Sequence, residues 1–342
     1  MSIIKERKKI NKAIRNAKKV FIMAHKNLDL DALGSSIGMY IVLKKRKKNC
    51  YLIIDDKNHE PGVEKVLREL EGCIEIIKSE DLTDYLHKKS QKNLLIVLDT
   101  NKTELVQSQE ALKKIEKKLV IDHHDLGKTS IKNAIIIDDN KVSSTCEMIA
   151  SLIEYYDVEI DSYYATILLS GIVLDTNNFT LNTTAETFYM SYYLTSLGAS
   201  AKKVQYLLKQ DINEYTERQK LMSAIETIDG KVAFTKATPY TQYRREDLAK
   251  VADTLLFFNN IEASFVIGKI GKETIGLSAR SLGNYDISKI LVKLGGGGDA
   301  FNGAAKFENT TISKVEQELK KLIKEEGEWN GSYFYQRSKK SR

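Results

Sequence analysis

The first half of the chain contains five short, uninterrupted apolar segments, and these limit its fold more than any other feature. They lie at residues 20–24, 51–54, 94–98, 119–121 and 134–137, and helical patterns separate them. Strands that alternate with helices indicate parallel pairing, and strands that are apolar at every position indicate burial on both faces. The sequence therefore predicts an α/β fold with a parallel sheet covered by helices on both faces.

The length of the chain and a change of pattern predict two domains. A chain of 342 residues is longer than a single hydrophobic core usually supports. After residue 200 the pattern becomes polar and helical, and from residue 231 it becomes rich in strands. We expect the following organisation: a first domain at 1–200, a helical linker at 201–225, a smaller α/β domain at 226–328 and a tail at 329–342.

Composition narrows the class of protein. The longest apolar stretch, at 165–174, is interrupted by a Ser-Gly pair and is too short to span a bilayer. The three cysteines form no CxxC pair, which argues against a disulfide framework and a zinc ribbon and for a reducing cytoplasm. The net charge of +7 is mild, so we expect no duplex-DNA partner, and the short apolar stretch predicts no membrane segment in this chain.

Side chains that can bind metal ions directly follow three of the predicted strands. His25 follows the first strand, Asp99 follows the third, and Asp122, His123 and His124 follow the fourth. The carboxyl ends of parallel strands form the ligand-binding edge of an open sheet, so these side chains are expected to converge. Further carboxylates that can join them lie in the loop after the first strand and at the end of the apolar stretch: Asp29, Asp31 and Asp175.

This set of side chains indicates a site for two divalent cations. Neighbouring carboxylates repel one another unless cations neutralise them. Aspartates and histidines without thiolates suit Mn²⁺ best, with Mg²⁺ and other divalent ions as alternatives. The set also exceeds the three or four protein ligands that a single catalytic zinc ion usually has, which favours a pair of ions.

Each of these residues, taken alone, has an ordinary structural interpretation. Asp31 could cap the helix predicted at 34–45, and a histidine after a strand often makes only a hydrogen bond to the backbone. However, three of the five histidines in the chain lie at the ends of predicted strands. The complete set therefore favours the metal site over separate structural roles.

The same residues resemble the four motifs of the DHH phosphoesterases. The matching segments are 25–35, which reads His-Lys-Asn-Leu-Asp-Leu-Asp-Ala-Leu-Gly-Ser, then Asp99-Thr100, Asp122-His123-His124 and Asp175. The second half resembles the DHH-associated C-terminal domain at 276–281 and 295–298. Segments 171–176, 252–255 and 262–266 are similar to the catalytic portion of the GdpP-type cyclic-di-AMP phosphodiesterases.

The resemblance implies a bimetallic, usually manganese-dependent phosphodiesterase. Such an enzyme opens cyclic di-AMP to linear pApA with a hydroxide held between the ions. The ligands that the resemblance implies are His25, Asp29 and Asp99 for the first ion, and Asp31, Asp99, His123 and Asp175 for the second. His124 would donate to the scissile phosphate, and Asp122 would orient a ligand imidazole. The domain at 1–200 would thus be catalytic, and the domain at 226–328 would bind substrate.

The resemblance also implies substrate-binding residues in the second domain. They are Arg280, Ser281, Gly295, Gly296, Gly297 and Gly298. An arginine offers a fork that fits a phosphate, and consecutive glycines let backbone N–H groups approach one. A surface salt bridge for the arginine and a tight loop for the glycines are the structural alternatives. Asp299 stands where the family usually has histidine, and segment 182–187 lacks the arginines of relatives.

These departures leave several functions open. The nearest alternative is a phosphodiesterase that degrades pApA or other short oligonucleotides to AMP. A second alternative is a catalytically impaired regulatory module that binds a cyclic dinucleotide. A third is an exonuclease of the RecJ kind that degrades long single strands, and it is disfavoured because the sequence shows no evident basic and aromatic track for many nucleotides. Relatives usually carry transmembrane, PAS and GGDEF segments ahead of this portion, so we expect a stand-alone bacterial enzyme or a catalytic portion, with homodimerisation an open option.

Overall fold

A computed structural model describes residues 2–56, 59–127, 129–283, 285–298 and 300–326. The chain divides into two compact units, Met1–Lys209 and Gln210–Arg342. Asp299 and the predicted tail lie outside the described residues, so the departure at position 299 has no structural account. Across the described residues, no helix has the length and apolar character that crossing a membrane requires.

The first unit is built on a six-stranded parallel sheet. Its strands, in chain order, are β1 Lys19–Met23, β2 Asn49–Ile53, β3 Ile76–Ile77, β4 Asn93–Leu98, β5 Lys118–Asp122 and β6 Ala134–Asp138. They are arranged in the order β3-β2-β1-β4-β5-β6, and every neighbouring pair is parallel. The five predicted strands are confirmed. The prediction missed β3, which is only two residues long and therefore leaves no periodic pattern.

Helices cover both faces of this sheet. The helices of the first unit are α1 Ser2–Lys5, α2 Arg7–Asn16, α3 Leu30–Lys45, α4 Pro61–Glu69, α5 Leu82–Tyr85, α6 Gln109–Lys114, α7 Thr145–Tyr155, α8 Ser162–Asp175, α9 Ala185–Ser196 and α10 Ala201–Leu207. Alternate side chains of β1 enter different cores: Val20 and Ile22 pack with α3, α7 and α8, whereas Phe21 and Met23 pack with α5 and α6. This double burial confirms the predicted fold class.

The strand order places a crevice at the carboxyl end of the sheet. The chain adds β2 and β3 on one side of β1 and then crosses back to add β4, β5 and β6 on the other side. Connections that leave in opposite directions from β1 and β4 open a crevice between them, and ligands of such sheets bind there. The residues that follow β1, β4 and β5 therefore lie at the end of the sheet where this crevice opens.

The second unit contains a mixed six-stranded sheet. Its strands are β7 Glu226–Ile228, β8 Val232–Lys236, β9 Ala263–Lys269, β10 Thr274–Ser281, β11 Gly297–Gly298 and β12 Asn302–Glu308, in the order β11-β12-β10-β9-β8-β7. Only β8 and β9 pair in parallel, and the long crossover between them contains a helix. The helices of this unit are α11 Ile212–Met222, α12 Arg245–Leu255, α13 Ile287–Lys293 and α14 Ile312–Glu326. The segment expected as a helical linker thus contains α10 and α11, which belong to different units.

Candidate metal centre

The structure brings the predicted metal-binding side chains together at the carboxyl end of the first sheet. Asp99 directly follows β4, and Asp122 is the last residue of β5. Nitrogen and oxygen atoms that can bind a metal ion lie within 4.8 Å of one another in three overlapping sets. These sets are His25 with Asp29 and Asp99, then Asp31 with His123 and Asp175, and finally Asp99 with His123 and His124.

Asp99 lies at the centre of the cluster. Its Oδ2 atom is 3.2 Å from His25 Nε2, and its Oδ1 atom is 3.5 Å from His123 Nε2. The Asp99 backbone has a φ of 58°, a left-handed conformation that aspartate tolerates better than most residues. Thr145 donates its hydroxyl to Asp99 Oδ1 at 3.0 Å. This residue therefore faces both groups of prospective ligands, as a carboxylate shared by two cations must.

Asp29 caps helix α3 and still directs one oxygen towards the cluster. Its Oδ1 atom accepts from the backbone N–H groups of Asp31 and Ala32, both at 2.9 Å, and its Oδ2 atom lies 3.7 Å from His25 Nε2. The capping role that we considered for Asp31 belongs to Asp29, because the helix begins at Leu30, earlier than residue 34. Capping holds the Asp29 carboxylate in place without occupying both of its oxygens.

Asp31 is held by the first turn of another helix. Its two carboxylate oxygens accept from the backbone N–H groups of Thr145 and Cys146 at 2.8 and 2.7 Å. These N–H groups have no partner within α7, since they belong to its first turn, and the helix dipole favours a negative charge there. Asp31 is fully buried, so this contact stabilises a carboxylate that water does not reach.

The imidazoles of His25 and His123 direct their Nε2 atoms towards carboxylates. The Nδ1 atom of His25 lies 2.7 Å from the backbone oxygen of Lys26, to which it can donate, and this leaves Nε2 for another partner. Nε2 of His123 is buried and lacks a hydrogen-bond partner among the described residues, although Asp175 Oδ2 lies 3.2 Å away. An unpaired buried nitrogen beside carboxylate oxygens fits a divalent cation bound between them.

Asp122 orients His124 rather than a predicted ligand imidazole. Its Oδ1 atom lies 2.8 Å from His124 Nδ1, and its Oδ2 atom accepts from Asn101 at 2.6 Å. The ring that Asp122 contacts is thus His124, to which the resemblance gives the role of donor, and the role of Asp122 stays a prediction. His124 is half exposed, at 52%, and its contact with Asp122 uses Nδ1 and not Nε2.

Burial and crowding leave the cluster short of positive charge. Burial raises the pKa of Asp99 to about 8, helped by the charge of Asp31 and only partly offset by His25. Burial, together with Asp31 and Asp29, holds the pKa of Asp175 well above its ordinary value. Carboxylic acids that retain protons in this way mark a place where a metal cation can replace those protons.

The pKa values of His25 and Asp29 are shifted so that both side chains favour their charged forms, unlike those of Asp99 and Asp175. Burial would raise the pKa of Asp29, but the hydrogen bond and charge of His25 and the N–H groups of the α3 cap lower it to about 2. Burial disfavours a charge on His25 too, yet Asp29 and Asp99 hold its pKa well above the ordinary value. In the absence of metal, a proton on His25 thus provides part of the positive charge that the cluster lacks.

The predicted substrate-binding residues lie in the second unit, and two of them form hydrogen bonds within it. Arg280, on β10, donates from Nε to Asp253 Oδ1 at 2.6 Å, and its Nη1 atom donates to the backbone oxygen of Ala279 at 2.9 Å. The hydroxyl of Ser281, the last residue of β10, accepts from the backbone N–H of Gly283 at 3.0 Å. The structural alternative for Arg280, an ion pair, is therefore present in the fold.

Two of the four glycines have structural reasons to be glycine. A Cβ atom at Gly296 would lie 2.4 Å from the backbone oxygen of Ala304, and one at Gly298 would lie 2.3 Å from that of Asn302. Close pairing of β11 with β12 therefore accounts for both. Gly297 is exposed and has no neighbouring atom within 4 Å of its Cβ position, so its backbone can be approached from solvent.

Sequence reasoning missed the residues that hold the ligands in place. Asn101 positions Asp122, and Thr145 contacts both Asp31 and Asp99. Asn101 lies two residues after Asp99, and Thr145 follows the Ser143-Ser144 pair that starts α7. The Ser-Ser-Thr sequence signals a helix cap, but nothing in it shows that the freed N–H groups face a carboxylate far away in the chain.

Comparison with known proteins identifies both units. A model of the DHH family, N-terminal domain, matches residues 19–172, and a model of the DHHA1 domain matches residues 229–329. Cyclic-di-AMP phosphodiesterase PdeA of Listeria monocytogenes is 34% identical over 94% of this chain and 49% of its own length. The bifunctional oligoribonuclease and PAP phosphatase NrnA of Thermus thermophilus is 26% identical over 90% of each chain.

A solved structure supports the fold independently. The structure of an exopolyphosphatase-related protein from Bacteroides fragilis superposes with a TM-score of 0.76 at 21% identity, covering 95% of this chain and 98% of its own. The present chain spans about half the length of the cyclic-di-AMP phosphodiesterases that it matches. With both domain models matched and the four motifs in place, the chain joins a region that matches the DHH family, N-terminal domain, to a region that matches the DHHA1 domain.

Proposed function

We propose that the chain is a metal-dependent phosphodiesterase that hydrolyses cyclic di-AMP to linear pApA. The observation that carries this proposal is the convergence of three overlapping sets of prospective ligands on Asp99 and His123. Relatives that are 34% and 35% identical over more than nine-tenths of this chain are named cyclic-di-AMP phosphodiesterases. The proposal transfers that activity to this chain.

The proposed centre holds two divalent cations, and Mn²⁺ is the preferred ion because the donors are carboxylates and imidazoles without thiolates. We assign His25, Asp29 and Asp99 to one ion, and Asp31, His123 and Asp175 to the other, with Asp99 as a ligand shared by both because it also lies 3.5 Å from His123 Nε2. When bound, such ions would supply charge stabilisation at the phosphoryl oxygens and activation of water. The unpaired Nε2 atom of His123 supports this assignment.

The chain's own groups hold the ligands and deliver a hydrogen bond. The first turn of α7 fixes Asp31, and the backbone oxygen of Lys26 fixes the tautomer of His25. Burial opposes protonation of His124, but its hydrogen bond to Asp122 raises its pKa above the ordinary value. A protonated and half-exposed His124 can donate from Nε2 to an oxygen of the scissile phosphate, so we assign it the catalytic donor role and Asp122 the positioning role.

In the second unit we propose a role in binding the dinucleotide. Arg280 and Ser281 end the same strand, and Gly297 exposes its backbone. Binding through Arg280 requires its guanidinium to interact with phosphate beside Asp253, whose pKa burial raises and Arg280 lowers in part. Gly295, Gly296 and Gly298 remain in the proposal as residues that shape the loop.

The proposal extends to the location, the binding partner and the oligomeric state of the enzyme. We propose a bacterial, cytoplasmic location and a cyclic or short linear dinucleotide as the partner, without duplex DNA. The matched relatives named here come from bacteria, and the described residues include no helix that could cross a membrane. Homodimerisation is compatible with the sequence, and its test is the oligomeric state in solution.

A phosphodiesterase that acts on pApA is the second candidate. NrnA of Thermus thermophilus, named an oligoribonuclease, matches nine-tenths of this chain and nine-tenths of its own length. The full-length match favours this activity, whereas the higher identity of the first group favours cyclic di-AMP. A regulatory module that binds without hydrolysis is the alternative of another class.

Product analysis distinguishes these candidates. The purified chain with Mn²⁺ is incubated separately with cyclic di-AMP and pApA, and products are resolved by chromatography, with Asp99→Asn as the control. We expect pApA to accumulate from the cyclic substrate faster than pApA decays to AMP. Faster turnover of pApA would establish the second candidate, and tight binding of cyclic di-AMP without hydrolysis would establish the regulatory module.

A further inference from the structure

A groove of about 730 Å³ lies on the first unit beside α6, and none of the prospective metal ligands lines it, although Lys26 of its wall directly follows His25. Its wall includes Lys118, the first residue of β5, whereas Asp122 ends that strand at the metal-binding edge. Four residues of extended chain span about 13 Å, so the groove reaches well away from the metal centre. Its volume lies within the range of small-molecule pockets.

The groove is rich in positive charge. Its lining includes four lysines, Lys26, Lys113, Lys118 and Lys132, and a single carboxylate among the described lining residues, Glu104. That carboxylate accepts from the hydroxyl of Thr129 at 2.8 Å. Four lysines against one glutamate give the lining a net positive charge, which attracts anions.

Three of these amines are available to a ligand, and the fourth, that of Lys118, donates to the backbone oxygen of Glu116 at 3.3 Å. Within the described part of the chain, no carboxylate comes within the 4.0 Å ion-pair distance of the ammonium groups of Lys26, Lys113 and Lys132. Burial lowers the pKa of Lys118, and the charge of Glu116 offsets this only in part. An anion between the lysines would stabilise their charged forms, as phosphate groups commonly do.

The floor of the groove is apolar. Leu112 and Ile131 line it and are 9% and 3% exposed. An aliphatic floor surrounded by amines suits a ligand with a flat ring at one end and phosphates at the other. We propose that this groove binds a phosphorylated small molecule of the nucleoside diphosphate class. The proposal rests on the groove alone and is independent of the hydrolytic function.

The walls of the groove are bonded to residues that hold the metal centre. Ile131 donates its backbone N–H to the backbone oxygen of Asn101 at 2.7 Å, and Ser130 donates its hydroxyl to the side-chain Oδ1 of Asn101 at 3.0 Å. Asn101 in turn holds Asp122. A ligand bound to segment 129–132 would therefore contact backbone that also positions Asn101 and, through Asn101, the Asp122 carboxylate of the metal centre.

Binding of ADP to the complete chain tests the proposal. The measurement is equilibrium dialysis of labelled ADP in EDTA, so that no metal ion can recruit the phosphates and hydrolysis plays no part. The variant Lys113→Glu with Lys132→Glu changes the groove. The matched control, Lys8→Glu with Lys12→Glu, makes the same change of charge at exposed positions of α2.

We expect saturable binding at one site, weakened about tenfold or more by the groove variant and little changed by the control. Hydrogen exchange of segments 103–106 and 129–132 should slow when ADP binds. Absence of saturable binding, or equal weakening by both variants, would overturn the proposal. The same phosphate chemistry occurs in lipid headgroups, so sedimentation with phosphatidylglycerol vesicles is a second arm. Vesicle binding that only the groove variant loses, without ADP binding, would overturn the small-molecule assignment.

Discussion

Gly171 of α8 lies directly against Asp31 of α3: a Cβ atom at Gly171 would come within 2.9 Å of the Asp31 Cα atom and within 3.0 Å of its Oδ1 atom. The same Cβ atom would lie 2.5 Å from the sulfur of Cys146 on α7. Three helices therefore meet at this glycine. Their close approach is what brings Asp175, at the end of α8, to the other ligands.

Replacing Gly171 by alanine should separate these helices and weaken the metal centre. Overpacking of a tight core costs about 1–3 kcal/mol, and we expect a loss of this size in the free energy of unfolding together with weaker binding of Mn²⁺. Urea denaturation and titration with Mn²⁺ measure the two effects. The control is Gly127→Ala, where the new Cβ atom meets no atom within 4 Å. Unchanged affinity and stability in Gly171→Ala would contradict the packing argument.

The metal-free chain should lose stability as the pH rises. The pKa of Asp99 is raised to about 8, and that of Asp175 lies well above its ordinary value, so the folded state binds these protons more tightly than the unfolded state. Their stabilisation is complete at pH values below the unfolded pKa, about 4, and disappears as the pH rises through about 8. Melting temperatures in EDTA should fall over that range.

Bound Mn²⁺ should reverse this dependence. Metal ligands bind in their deprotonated forms, so the gain in melting temperature on adding Mn²⁺ should increase with pH. In the Asp99→Asn variant, which has no proton to lose at this position, the fall in EDTA should be shallower. A wild-type melting temperature in EDTA that rises from about pH 5 to about pH 8 would show that the carboxylates are ionised without metal.

The Asp99→Asn variant also separates an effect on catalysis from an effect on folding. Asp99 is shared by two of the three sets of prospective ligands, so Asp99→Asn should reduce hydrolysis to near background. Because the substitution removes a buried carboxylate that the apo fold does not stabilise, the melting temperature in EDTA at pH 8 should stay equal or rise. Turnover close to that of the wild type would place the reaction elsewhere.

Asp122→Asn should act through His124. Removal of the carboxylate that holds the His124 ring should lower the pKa of His124 and reduce kcat by about 10–100-fold, with a smaller change in KM. An NMR titration of the imidazole measures the first effect. Asp125→Asn is the control, because Asp125 is exposed and bonds to Asn140 instead. A lower kcat with an unchanged pKa of His124 would point to a structural role only.

Arg280→Ala should affect both binding and stability. It should raise KM for a dinucleotide, and it should destabilise the chain by about 1–3 kcal/mol because Asp253 is left without its cation. The double variant Arg280→Ala with Asp253→Asn should recover the stability but not the KM. Recovery of both would mean that Arg280 serves the ion pair and not the substrate.

Local sequence determined much of the first unit. Apolar strands such as β4, buried at every position, specify parallel pairing and double coverage because only such a sheet removes all their side chains from water. The strand ends followed from the same pattern, which is why Asp99 and His123 could be proposed as neighbours. Very short elements such as β3 could not be predicted, since two residues carry no period.

Tertiary structure decided how the ligands are held and which partners they choose. Asp31 binds the first turn of α7 across more than a hundred residues of chain, and the Asp122 carboxylate lies within hydrogen-bond distance of the His124 ring. Such contacts depend on the angles at which helices and loops meet, and close packing at glycines such as Gly34 and Gly171 sets those angles. The amino-acid order thus specified which chemical groups gather at the sheet edge. Their distances and hydrogen bonds arose only when separate elements packed together, because the packing energy is a sum over contacts between segments that are distant in the chain.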